Sequence, residues 1–336
     1  MNPNVSIVIT SINSFNKVMQ SYVNVATQND WGFIVAGDTL SPHIDQKNLT
    51  FLSIADQLNS PFSYAKRAPV RNYGRKNIAY LHAIKHGAEV IIETDDDNFP
   101  YDHFCQLRGD RLNASTVKED GFVNVFRYFT DKTDKIWPRG FSLSDIKRTL
   151  TPYDALKSNQ HYCPVQCGLV DNDPDVDAIY RLLFDLPFEF EHKDRNVAMN
   201  KGSWCSFNTQ NTTFYKAFFP LMYQPSTPMF READILRSFV AQRILWENDA
   251  SLLFHSPTVW QERNEHDLIL DLREEVRLYG YNSDICKKLE DLDIKSGADY
   301  FYDNMIACYK VYKEYQMVND LEFSLISAWF DDLSKC

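Results

Sequence analysis

Hydrophobic and polar positions along this chain fall into two rhythms. Val5–Thr10 (VSIVIT) is a short β-branched run ended by Ser11 and Asn13, and Trp31–Ala36 (WGFIVA) is a second, stopped by Gly37-Asp38. Both read as buried strands followed by loops. From Arg75 to His86 the apolar positions Ile78, Leu81 and Ile84 recur at helical spacing, and Gly87 stands where that helix should end. Glu89–Thr94 (EVIIET) is then another buried strand. Strand, helix and strand in this order predict βαβ units, hence an α/β fold with a mostly parallel sheet flanked by helices.

Further along, Phe122–Tyr128 reads as a strand and Asp173–Phe184 as a helix, with acids in its first turn and Val176, Ile179, Tyr180 and Leu183 apolar. Arg231–Trp246 carries the clearest helical pattern, with Ile235, Leu236, Phe239, Val240, Ile244 and Leu245 on one face. Beyond about residue 265 the texture turns charged and helix-periodic with few turn signals. The expected division is therefore an α/β domain over 1–265 and an α-helical extension over 266–336. That extension would pack on the core or form a homo-oligomer face. No internal repeat or low-complexity segment interrupts the pattern.

Composition narrows the classes. A chain of 336 residues, 44% hydrophobic, can bury a large core. No stretch approaches the roughly 18–20 apolar residues of a membrane span, so no transmembrane segment is expected. The start MNPNVSIVIT lacks a basic region ahead of its apolar run. A net charge of −11 and a pI near 5.2 argue against general binding to nucleic acid or acidic lipid. Seven cysteines are scattered, and Cys163 and Cys167 lack zinc-knuckle spacing, so they read as reduced packing residues. The sequons at Asn4, Asn48, Asn113 and Asn211 are then incidental. The cytoplasm is the expected compartment, with a peripheral membrane position left open.

Chemistry enters at the end of the Glu89–Thr94 strand, where Asp95, Asp96, Asp97 and Asn98 follow directly. Carboxylates this close repel and raise one another's pKa unless a cation sits among them. Mn²⁺ or Mg²⁺ suits such oxygens and completes its shell with substrate phosphates. Open α/β sheets bind ligands at the carboxyl ends of their strands, where this run falls. Asp97 would point to the metal, while Asp95 would reach ribose or a metal-bound water. A solvated acidic turn is the alternative. An EF-hand lacks its glycine and distal glutamate here, and a phosphatase-type nucleophile lacks its D-x-D-x-[TV] context.

Arg71, Arg75, Lys76 and Asn77 cluster at the start of the helix before the aspartates. Cations there oppose the helix dipole and so call for an anionic partner such as a pyrophosphate. Thr10, Asn13 and Asp38 end the first two strands, where the same sheet geometry would place a nucleoside; turn formation accounts for Gly37-Asp38 equally well.

Several blocks resemble one family. Arg75-Lys76-Asn77-Ile78-Ala79-Tyr80-Leu81, the aspartate run, Trp137-Pro138-Arg139-Gly140-Phe141, Asp173-Pro174-Asp175-Val176-Asp177 with Ala178-Ile179-Tyr180-Arg181-Leu182, Asp234-Ile235 with Ala241-Gln242-Arg243, and Gln261-Glu262-Arg263-Asn264 with His266-Asp267 look like STELLO-type glycosyltransferases. They run in order over roughly residues 5–270. That family is distantly similar to the reversibly glycosylated polypeptides, which are UDP-arabinopyranose mutases. The resemblance implies a GT-A-type, Rossmann-like fold, a nucleotide-sugar donor (a UDP-sugar), a D-x-D metal site and a carbohydrate acceptor. It does not carry over the membrane anchor of the plant proteins.

It also suggests roles for single residues. In the mutase relatives the arginine matching Arg139 becomes glycosylated; read alone, Arg139 is a rim arginine. Asp234, with Glu232 behind it, stands at a helix start, where acids are common for dipole reasons. The functional reading is a general base or a binder of the acceptor hydroxyl. His255 follows the apolar run Leu252–Phe254 and is the candidate for a late metal ligand, although a lone histidine after a strand is more often structural. Three functions are expected to compete: a transferase, a nucleotide-sugar mutase that needs no acceptor, and a non-catalytic nucleotide-sugar-binding scaffold.

Overall fold

In the computed structural model, which describes residues 3–132, 135–264 and 266–336, the first apolar run is β1 (Val5–Ser11), followed by α1 (Lys17–Asn29), β2 (Gly32–Gly37) and β3 (Thr50–Leu52). Two short helices, α2 (Ile54–Asn59) and α3 (Ser63–Arg67), lead to a single 3₁₀ turn and then α4 (Lys76–Lys85) and β4 (Val90–Thr94). The expected βαβ order is thus present. Strands β3, β2, β1 and β4 lie side by side in parallel, with Ile7 opposite both Phe33 and Ile92.

Alternation along β1 explains the layering. Ile7 and Ile9 join Val18, Met19 and Tyr22 of α1 in one buried cluster, whereas Val8 joins Ile78 and Leu81 of α4 in the other. Each such side chain removed from water contributes roughly 1.5–3 kcal/mol. Residues two apart share a face, so the sheet is covered on both sides.

The sheet then continues through β5 (Asn98–Pro100), β6 (Arg111–Thr116), β8 (Lys157–Tyr162), β9 (Val165–Asp171), β10 (Asn196–Ala198), β12 (Asn211–Tyr215) and β13 (Leu252–Gln261). Its order is β3-β2-β1-β4-β12-β9-β13-β10-β6-β8, with β5 paired to β13. Strand β12 runs antiparallel to both β4 and β9, and β5 and β8 are also antiparallel to their neighbours. A small separate sheet joins β7 (Gly121–Phe122) to β11 (Ser203–Trp204).

Two expectations change in detail. Of the expected Phe122–Tyr128 strand only Phe122 belongs to a strand, as the last residue of β7, and Val125–Tyr128 is a 3₁₀ turn. The buried positions there, Phe122, Val123, Val125, Phe126 and Tyr128, do not alternate, so no strand could bury them on one face. The expected Asp173–Phe184 helix is α5 (Ala178–Leu183), capped by the Asp177 side chain on the Tyr180 amide. The acids before it belong to a loop.

Helix α6 (Ala233–Glu247) is buried all round from Ala233 to Trp246, not along one face. Helices α7 (Leu268–Glu290) and α8 (Phe301–Glu314) pack against it, and α9 (Asp320–Leu333) packs on α8, α3 and α4. Leu278, Tyr312 and Trp329 share a continuous core with Leu236 and Ile244, and the Tyr312 hydroxyl donates to the Leu236 carbonyl at 2.7 Å. Asp332 accepts from the Tyr64 amide at 2.7 Å at the start of α3, tying the C-terminal helices to the N-terminal half. The polar residues of α6 are paired inside: Arg237 donates to both oxygens of Glu93 at 2.5 and 2.8 Å, bolting α6 to β4. Glu265, at the expected boundary, lies outside the described residues. Among the described residues no helix is long and apolar enough to cross a membrane.

Candidate functional site

Because β1, β2 and β4 are parallel, their carboxyl ends open on the same side, and the loops beyond them line a cleft of two joined cavities. One, of about 560 Å³, is bordered by Ile12, Ala36, Asp38, Leu40, Arg71 and Phe230 and is largely apolar. The other, of about 210 Å³, is polar and holds Asp95, Asp96, Asp97, Arg139, Asp175 and Asp234. Thr10, Tyr73, Asp96, Phe230 and Asn264 border both, so the aspartate run stands at their junction.

Each aspartate is oriented by a different part of the chain. Lys76, the first residue of α4, sends its ammonium to the Thr94 carbonyl at 2.7 Å and to Asp95 Oδ1 at 3.0 Å, and the Tyr73 hydroxyl donates to the same oxygen. Asp96 Oδ2 accepts from the Ser11 hydroxyl and from Asn13 Nδ2 at 2.9 Å. Asp97 Oδ2 accepts from Gln261 Nε2 at 3.0 Å, and the Asp97 carbonyl accepts from the Glu262 amide. Its second oxygen, Oδ1, is buried without any hydrogen-bond partner.

Electrostatics set Asp97 apart. Burial first, and then the Asp95 and Asp96 charges, raise its carboxyl to about 7. Burial also raises Asp96, offset in part by Ser11 and Asn13. An orphaned carboxylate oxygen beside two other carboxylates, in a cleft, is a position that a cation would stabilise.

On the other side of the polar chamber Arg139 is clamped between two acids. Its guanidinium donates to Asp175 at 2.8 and 2.9 Å and to Asp234 at 2.8 and 2.7 Å. Gly140 makes this approach feasible: it has φ +81°, and a Cβ there would meet Ile235 Cγ2 at 2.5 Å. Burial works against the Arg139 charge, but Asp175 and Asp234 outweigh it and hold the pKa well above the ordinary value. Arg139 in turn keeps Asp175 below the usual carboxylate range despite burial. Further along the wall stand Arg181, Arg231, Arg263 and His266.

The predicted residues divide. Thr10, Asn13, Asp38, Arg71 and Arg75 border the larger cavity, and Asp95, Asp96, Asp97, Arg139 and Asp234 border the polar chamber. Arg71 is exposed and holds a left-handed backbone (φ 54°), a conformation costly for a residue with a side chain. Arg75 donates to Gln57 of α2 at 2.7 Å and to the Ala68 carbonyl at 3.1 Å, while its Nη2 is buried without a hydrogen-bond partner. Asn77 is buried between the Tyr64 hydroxyl and Gln224 and borders neither cavity. The expected basic cluster is thus split: Arg71 and Arg75 border the larger cavity, whereas Lys76 serves Asp95 and Asn77 serves the core.

Glu232 also turns away. Its carboxylate pairs with Arg277, at 2.8 Å for Nε, and it borders neither cavity. His255 sits mid-strand, because β13 runs on for six more residues, and its Nδ1 lies 2.7 Å from the Ser256 carbonyl. It borders a separate small recess with Arg108; burial, then Arg108, drive its pKa well below the ordinary value. The structure does not bring it to the aspartates. Among the described residues no preformed group of three or more His, Cys, Asp or Glu side chains is arranged to hold a metal ion.

Tyr73, Asp175, Gln261 and the arginine wall went unassigned from sequence. Asp175, Arg181, Gln261 and Arg263 stand within the conspicuous blocks, so the signal was present; what was missing was which side chain faces the cleft.

No family profile matches the chain. The STELLO-type resemblance read from its motifs is borne out by curated relatives. The chain is 24% identical over 329 residues to "Probable glycosyltransferase STELLO2" of Arabidopsis thaliana, covering 90% of this chain and 41% of that protein. It is 25% identical over 256 residues to "Probable glycosyltransferase STELLO1" of the same plant, covering 68% and 32%. The chain thus spans less than half the length of these relatives. Among solved structures it is similar, at TM-score 0.41 and 10% identity over 84% of this chain and 79% of that one, to glucosyl-3-phosphoglycerate synthase from Mycobacterium tuberculosis in complex with Mn²⁺ and UDP-glucose.

Proposed function

We propose that this chain is a divalent-cation-dependent glycosyltransferase of GT-A type that moves a sugar from a nucleoside diphosphate, in the first instance UDP, to a carbohydrate acceptor. One observation carries the reading: a cleft at the carboxyl ends of β1, β2 and β4 that passes from an apolar cavity, over three aspartates, into a polar chamber. A nucleoside suits the first part and a sugar the last, which sets the diphosphate at the aspartates. The glycosyltransferase names of the curated relatives support the same class.

The residues present fit a hard divalent cation. Asp97 offers an unused buried oxygen and Asp95 a carboxylate held at the junction. As the described residues hold no preformed group of three such ligands, phosphate oxygens and water would complete the shell, as is common for Mg²⁺. Such an ion, when bound, neutralises charge on the departing diphosphate. The chain's own contribution is orientation. Lys76 and Tyr73 fix Asp95, Gln261 turns Asp97, and Ser11 and Asn13 keep Asp96 from swinging toward its neighbours.

Asp234 uses both oxygens on Arg139, so neither is free to take a proton from an acceptor hydroxyl without breaking that pairing. It is better suited to binding a sugar or acceptor hydroxyl than to acting as general base. By the same pairing Arg139 is a poor nucleophile, which speaks against an arginine-linked sugar intermediate.

The test is a thermal-shift panel of nucleoside diphosphates and nucleotide sugars with Mn²⁺ or EDTA, followed by product analysis of any binder. A cation-dependent rise in Tm with UDP and its sugars, and no sugar rearrangement without acceptor, is expected. A ring-form change in the donor alone would make it a mutase. Nucleotide binding indifferent to EDTA would sink the metal site.

A further inference from the structure

The cleft has a basic side that the donor does not use. Arg181, Arg231, Arg263 and His266 border the polar chamber, and none of them borders the nucleoside cavity. Each arginine is held by an acid that is absent from the lining: Asp173 for Arg181, Glu275 for Arg231 and Asp271 for Arg263. The acids stand behind and the guanidinium groups in front. The three arginine side chains are only 6%, 9% and 10% exposed, so their charges are poorly screened.

Two observations suit this wall to an anion. Arg181 Nε is buried with no hydrogen-bond acceptor, an orphan donor in a side chain more than nine-tenths buried. Such a group is costly unless something pairs with it. The guanidinium groups also press on one another: burial and then Arg181 and Arg231 bring Arg263 down to about 10. An anion placed among them relieves both. Planar forks of N–H donors match the paired oxygens of a phosphate or carboxylate.

In the transferase reading the donor's diphosphate is held at the aspartates, where the two cavities meet, and its sugar is the part that enters the chamber. The anion therefore arrives with the other substrate. We infer that the arginine wall binds an anionic group, a phosphate monoester or a carboxylate, on the acceptor. This deepens the transferase reading and rests on it. In the transfer, the acceptor oxygen bonds to the anomeric carbon. The bond from that carbon to the diphosphate oxygen breaks with its electron pair leaving on the diphosphate, and the acceptor proton passes to water.

The full chain, saturated with UDP and Mn²⁺, is titrated with inorganic phosphate and separately with glucuronate, against chloride of matched ionic strength, with Tm as readout. Phosphate, glucuronate or both should raise Tm above the UDP–Mn²⁺ value, and the responder identifies the acceptor's group. Arg181→Gln and Arg263→Gln should each weaken that response by about tenfold or more while leaving the UDP response within twofold. Arg181→Lys should restore part of it. Phosphate that displaces UDP, variants that weaken UDP instead, or no response to either anion would overturn the inference. If wild type shows no UDP–Mn²⁺ response before any anion is added, the transferase reading itself has failed, and the inference falls with it.

Discussion

Replacing Asp97 by Asn separates the cost of the aspartate run from its use. The carboxyl sits at about 7 against an ordinary 3.8, through burial and then its acidic neighbours. That gap corresponds to ~4 kcal/mol of charge held against its preference. The folded-state value is the raised one, so the full stability is present below pH 4 and is lost as pH rises toward and through 7. Asparagine removes the charge and keeps a carbonyl to accept from Gln261. In EDTA at pH 8 the variant should therefore be more stable than wild type by roughly 2–4 kcal/mol, or about 3–6 °C in Tm for a chain of this size. The difference should shrink steadily as pH falls toward 4. With Mn²⁺ and UDP at about 100 times the dissociation constant, wild type should recover roughly 2.7 kcal/mol and the variant nothing. Scanning calorimetry of both proteins from pH 4 to 8, in EDTA and in Mn²⁺ with UDP, gives all four comparisons. A variant less stable than wild type in EDTA at pH 8 would refute the strained-carboxylate argument. An undiminished UDP–Mn²⁺ response would refute the role of Asp97 in holding the cation.

Three further outcomes follow from the same geometry. Nucleotide affinity in Mn²⁺ should be level above pH 7 and fall about tenfold per pH unit below it, because the proton on Asp97 must leave first; isothermal titration across pH 5.5–8 measures this. Asp234→Asn should lower kcat by about 10–100-fold with donor affinity intact and the pH profile unmoved, whereas loss of the acidic limb would restore Asp234 as a general base. Arg237→Met should cost about 3–5 kcal/mol in denaturant unfolding, since it leaves buried Glu93 without its charged partner and with the Tyr80 hydroxyl still donating to it; a loss under 1 kcal/mol would mean that the pair does not anchor α6.

What could be read from sequence follows physical range. The strands ending at Ser11, Gly37 and Thr94, the helix between them and the placement of the aspartates rest on periodicity and turn chemistry, which act over a few residues. The Val125–Tyr128 turn misled because a dense apolar run looks alike in a strand and in a tight helical turn until its buried positions are known. Helix α6 looked amphipathic because Arg237, Gln242 and Arg243 are polar, yet all three are buried. Glu93, 144 positions away in the chain, decides the matter for Arg237. No local pattern contains that pairing.

The same limit governed the site. Charge at Lys76 and Arg75 invited a phosphate, but a cation at a helix start can be answered by any acceptor, and the Thr94 carbonyl and Asp95 answered Lys76 first. Conversely, Asp173 and Asp175 looked like ordinary helix-start acids, yet each holds an arginine against the cleft. The general step is that a charged residue is informative only after its partner is found: one satisfied within the protein serves the fold, and one left short serves a ligand. By that measure, among the described residues bordering the polar chamber, Asp97 Oδ1 and Arg181 Nε are the buried side-chain atoms left unanswered. Their opposite charges assign them to different ligands, a cation with its diphosphate for the first and an anionic acceptor for the second. A complex with UDP, Mn²⁺ and phosphate should show Asp97 Oδ1 within about 2.3 Å of the ion and Arg181 within hydrogen-bond distance of a phosphate that is not part of the nucleotide. If one diphosphate satisfied both atoms, the chamber would have no separate anion site, and the division of the cleft into donor and acceptor halves would be wrong.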